Sequence, residues 1–102
     1  MTSSNARRPD WLVEYEGPGF CTHSRHDTEA DAYTSARTAR QCAENGEGVG
    51  VTSWVQGEHW HHDVRAVCVL RRDGESGEYL AHSRRWRKAV PAADALTPRP
   101  AA

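Results

Sequence analysis

A chain of 102 residues carrying 13 basic and 14 acidic side chains is the size of one domain with almost no net charge. That balance excludes binding driven by bulk charge alone, and no stretch has the length and apolarity of a membrane-spanning helix. The charge is unevenly spread: up to Asp63 ten acids meet five arginines, and from Val64 onward eight bases meet four acids. On folding, this asymmetry either mixes locally or leaves a dipole that steers a partner or draws copies together. Twelve arginines against one lysine, with no isoleucine, point to a GC-rich coding background, so part of the arginine excess carries no functional meaning. Cys21, Cys42 and Cys68 leave one thiol unpaired under any single-bridge scheme. Charges at Arg7, Arg8, Asp10, Glu14 and Glu16 interrupt the place of a secretory leader's apolar run, so reduced thiols and a cytoplasmic location are expected.

Residues 1–9 read as a flexible N-terminal tail and 10–88 as the domain. Residues 89–102 hold three of the five prolines and little that can pack, which reads as a disordered Ala/Pro-rich tail. Trp11 to Glu16 alternates, with Trp11, Val13 and Tyr15 on one face and Leu12, Glu14 and Glu16 on the other, which predicts a strand with one buried face. Gly17-Pro18-Gly19 predicts a turn, and Phe20 to Ser24 a short returning strand. A helix follows, with Asp27 or Thr28 as its cap, Glu29 and Asp31 at its positive end, and Asn45-Gly46 as its stop. Its inward stripe is almost all alanine: Ala32, Ala36, Ala39 and Ala43. Small side chains there let the helix approach a sheet closely, leaving the sheet to supply the core volume.

Three further strands are predicted over 49–56, 63–72 and 78–86. Gly57 to His62 reads as a connecting loop, and Asp73 to Gly77 as a hairpin loop. The fold class is therefore α+β, one helix packed on an antiparallel sheet in the order β-β-α-β-β-β, with disordered termini. Alternation from Val64 places Val64, Ala66, Cys68 and Leu70 toward the helix. Trp54, Val67, Val69 and Trp86 then fall on the uncovered face, an apolar patch of the kind that marks an interface unless another segment covers it.

Other groupings suggest other chemistry. Arg84-Arg85-Trp86-Arg87-Lys88, extended by Arg71 and Arg72 on the neighbouring strand, sets cations around an indole, as a nucleic-acid surface does. Asp73, Glu75 and Glu78 partly neutralise it, and a solvated strand end is the plainer account. His23 and His26 lie near Cys21, and His59, His61 and His62 surround Trp60; zinc takes such donors, yet the spacing matches no familiar zinc module. A Cys21–His23 nucleophile pair lacks any orienting residue. Gly46 to Gly50 follows a helix and precedes a strand, the reverse of a phosphate-binding loop.

The leading expectation is thus a small intracellular, non-enzymatic protein-binding module of regulator or inhibitor type, without cofactor, that self-associates through its open sheet face or a strand edge. Accessory proteins of phages and mobile elements provide an analogy of scale. The first alternative is a nucleic-acid binder using Arg71, Arg72 and Arg84 to Lys88. The second is a metal-binding protein using the five clustered histidines.

Overall fold

In the first strand, β1 (Trp11–Gly17), the alternation acts as expected: Trp11, Val13 and Tyr15 enter the main core, while Leu12 points the other way. The computed structural model describes residues 8–53 and 57–89. Pro18 and Gly19 close a two-residue turn, Gly19 taking a φ of 81°, and β2 (Phe20–His26) returns antiparallel. Gly17 cannot carry a side chain, because a Cβ there would strike the Asp63 carbonyl and the Phe20 ring.

Thr28 caps helix α1 (Glu29–Glu44), its hydroxyl accepting from the Asp31 N–H at 3.1 Å, and Gly46 follows the Asn45 cap with a φ of 76°. The four stripe alanines are all buried. They pack over Trp11, Val13 and Tyr15 of β1. Tyr33 adds a polar link, its hydroxyl 2.6 Å from His82 Nδ1, and the His82 ring meets Trp11 edge to face at 4.8 Å.

After the helix, β3 (Val49–Ser53) and β4 (Gly57–His61) form a separate two-stranded sheet that lies against β2. The segment expected to be a loop, 57–62, is therefore mostly strand. Its apolar content is one tryptophan, and its pairing comes from β3 rather than from its own alternation. Val49 and Val51 enter the main core.

Strand β5 (Ala66–Arg72) then crosses back and pairs antiparallel with β1, not with β4, so the sheet is no simple meander. Strands β6 (Tyr79–Ala81) and β7 (Trp86–Arg87) both pair with β5 on its far side. The main sheet runs β2-β1-β5-β6, with β7 beside β5. Between β6 and β7, residues 82–85 leave the ladder opposite only Cys68 and Val69, a bulge in which the His82 and Ser83 N–H groups both donate to the Val69 carbonyl. The architecture is the expected α+β with one helix and antiparallel sheets, built from more strands than the sequence pattern resolved.

One face assignment reverses. Val67 and Val69 lie in the core with the helix alanines, and Cys68 and Leu70 pack with Leu12 on the opposite face. Residues 63–65 are not strand, so the alternation cannot be carried through from Val64; a one-residue slip turns over every side chain in β5. The tail expectations for 1–9 and 89–102 fall mostly outside the described residues. Two residues of the first stretch are docked: Tyr79 Oη donates to the Pro9 carbonyl at 2.6 Å, and Arg8 lies over the Tyr79 ring and donates to the Gly77 carbonyl.

The close approach of helix and sheet sets a steric test. Ala39→Leu should destabilise the fold by about 1–3 kcal/mol through overpacking. Exposed Arg37→Ala on the same helix should stay within about 0.5 kcal/mol of the parent in urea unfolding followed by circular dichroism.

Candidate functional site

The residues nominated for an apolar docking face do not form one. Val67 and Val69 are 2% and 1% exposed beneath the helix. Trp86 is half-buried against the same core, with the Arg40 guanidinium 5.8 Å from its ring centre. Trp54 lies outside the described residues.

The basic group is divided between two faces and largely engaged. Arg71 stands over the Trp11 ring at 5.4 Å. Arg72, on the other face, pairs with Asp10 at 2.9 Å, and Arg85 pairs with Glu14 and Glu16 at 2.6 and 2.9 Å. Arg84 and Arg87 are exposed and Lys88 is half-exposed, so the segment keeps cations at the surface but not as one continuous stripe.

The five histidines also separate. His59 and His61 stack along β4 with ring centres 6.3 Å apart, and His61 lies on the Phe20 ring at 4.4 Å. His62 follows β4, exposed. His26 Nε2 meets Ser24 Oγ at 2.8 Å, and Ser24 Oγ in turn meets the buried Tyr15 hydroxyl at 2.7 Å, which satisfies a polar group at the core's edge. Desolvation holds His26 below the ordinary imidazole range, although Asp31 and Asp27 oppose it.

His23 belongs to a different grouping, on the sheet face away from the helix. In the β1–β2 register Glu14 is directly opposite His23, and Glu16 is opposite Cys21. Cys21 and His23, two residues apart, therefore share a face with both carboxylates. His23 Nε2 is 3.1 Å from Glu14 Oε2, and Arg85 occupies the Oε1 side. Glu14, Cys21 and His23 each present one donor atom within 4.8 Å of the other two, and among the described residues no other group of three or more His, Cys, Asp or Glu does so.

Electrostatics follow from this crowding. Desolvation pushes the Glu14 carboxyl up, but the Arg85 and His23 partners outweigh it and leave the group lowered. Desolvation first, then the Glu14 and Glu16 charges, push the Cys21 thiol up, so an unassisted thiolate is disfavoured there. Sequence reading missed Glu14 as a partner of Cys21 and His23, although the signal was present. A Pro18-Gly19 two-residue loop fixes the register, and the register names the pairs.

A second feature lies on the helix side. A groove of about 410 Å³ separates Thr34, Thr38 and Cys42 of α1 from Gly50, Glu58 and Trp60 of the β3–β4 hairpin. Trp60 crosses Gly50, its ladder partner, yet stays 64% exposed.

No protein-family model matches this chain; comparison with curated proteins and comparison with solved structures each return no match.

The Glu14–Arg85 pair carries a pH signature. Because the folded carboxyl is lowered, its contribution is present above the unfolded glutamate value of about 4.3 and disappears as pH falls through the lower folded value. Arg85→Gln should therefore lower stability at pH 7, and the gap to the parent should close as unfolding is repeated below about pH 4. A gap that is constant with pH would assign the loss to packing of the Arg85 stem instead.

Proposed function

We propose that this protein is a small, non-enzymatic binding module that associates through the outer edge of β4, with a second copy of the chain as the occupant. The observation that carries the reading is Trp60, 64% exposed on a strand that pairs on one side only, with β3, among the described residues. An unpaired edge offers a row of N–H and C=O groups to an incoming strand, and tryptophan is enriched at interface hot spots.

The side chains of β4 suit antiparallel self-pairing. Centred on His59, such a ladder would set Glu58 of one copy against Trp60 of the other, avoiding any opposition of like carboxylates. Trp60 of each copy would then lie near its partner's groove beside α1. Of the two surfaces that the sequence suggested for self-association, the open sheet face and a strand edge, the edge remains.

Sedimentation velocity over a concentration series tests this. The parent chain should sediment as a dimer at high concentration. Trp60→Ser should weaken the dimer by about 10-fold or more, the scale of a hot-spot truncation. His59→Pro, which removes a ladder donor and distorts the edge, should leave monomer. A parent chain that is monomeric throughout, with an unchanged helical circular dichroism spectrum, overturns the reading.

A further inference from the structure

We propose that Glu14, Cys21 and His23 form a binding site for a borderline-soft divalent cation, zinc being the best match to one sulfur, one nitrogen and one oxygen donor. The three donors lie on the sheet face away from the helix, apart from the β4 edge. Three features support it.

The first is convergence on a rigid frame. The donors come from two strands of one hairpin, in a register fixed by a two-residue turn, with Glu14 opposite His23 and diagonal to Cys21. The His23 Nε2 to Glu14 Oε2 separation of 3.1 Å is already close to the ~3.3 Å that two ~2.0 Å metal bonds span at a tetrahedral angle. Only the sulfur has to close in, from within 4.8 Å of the other two donors, and Cys21 is exposed on the outermost strand of the main sheet.

The second is support around the donors. Arg85 holds Glu14 Oε1 at 2.6 Å and Glu16 at 2.9 Å, which leaves Oε2 directed at His23. Carboxylate ligands of metals are ordinarily oriented by such a partner, and the exposed Cys21 leaves the group open to solvent.

The third is charge. Two carboxylates, one guanidinium and a Cys21 thiolate sum to −2 with His23 neutral, so a divalent ion brings the cluster to zero. Binding exchanges the Cys21 thiol proton for a sulfur–metal bond, and that proton leaves to solvent.

The test titrates the full, untagged chain, reduced and stripped by chelator, with cobalt(II) and then zinc. A single cobalt should bind per chain with a thiolate-to-metal charge-transfer band, and zinc should displace it. Cys21→Ser should abolish the band, and His23→Gln and Glu14→Gln should each weaken zinc by about 10-fold or more in competition with a chromophoric chelator. His62→Gln, at an exposed position beyond β4, should change neither reading. Cys21 and His62 are exposed, His23 is half-exposed and the Glu14 side chain is mostly buried, so circular dichroism checks the folding of each variant. Absence of the band in the parent, its persistence in Cys21→Ser, or loss of binding in His62→Gln but not in His23→Gln would each overturn the proposal.

Discussion

The ladder between β1 and β5 is the constraint from which the other placements follow. It sets Val13 opposite Val69 and Tyr15 opposite Val67, all buried in the helix-side core, and Leu12 opposite Leu70 on the other face. Because β5 is interior and buried along five successive residues, its sequence reads as an apolar run with no polar face to announce which side is which. Only pairing with β1, whose two faces are chemically distinct, resolves that ambiguity. Once it is resolved, the back of the sheet is left with Glu14, Glu16, Cys21 and His23 together, and with the small Leu12–Cys68–Leu70 cluster beginning beside them at Cys68, the β5 partner of Glu14.

The helix meets this sheet with four methyl groups. Ala32, Ala36, Ala39 and Ala43 fill little volume, so the space between the layers belongs to Trp11, Tyr15 and the valines, with Val49 and Val51 of the hairpin closing its side. A close helix also brings Tyr33 within hydrogen-bonding distance of His82, tying the helix to the bulge beyond β6. The β3–β4 hairpin is fixed through the face bearing Val49, Val51 and His61, and the face bearing Trp60 and Glu58 is turned to the groove and solvent. Close packing inside and exposure outside are thus two consequences of the same period-two alternation in β3 and β4.

Much of the frame was legible in the residues. Thr28, the alanine stripe and Asn45-Gly46 mark the helix because capping and amphipathicity act locally, within a few residues of where they are read. The first hairpin was legible for the same reason. What escaped sequence reading depended on long-range pairing. Strand β4 carries His, Trp, His and Glu, a composition that looks like a loop until β3 supplies the ladder. Val67 and Val69 were assigned to the wrong face because the irregular residues 63–65 look, in sequence, like the start of β5. The sequence already sets Cys21 beside His23, but the third convergent donor is a glutamate that reads, in sequence, only as the polar face of β1.

The bulge at 82–85 explains why the cationic segment behaves as it does. Four residues there stand against two on β5, an even excess, so alternation survives it: Trp86 arrives on the helix side like His82, and Arg87 on the far side like Ala81. An odd excess would have turned Trp86 out to solvent and placed Arg87 against the core. Extra length also gives Arg85 the reach to cross β5 toward β1, where it meets Glu14 and Glu16 rather than solvent. The run that reads as a basic stripe is therefore an edge whose indole is taken by the core and whose central arginine is taken by the carboxylates. Through Arg85 the bulge brings a cation to the back face beside Glu14 and Glu16, so the charge of that face depends on the geometry of the bulge as well as on the number of arginines in the run.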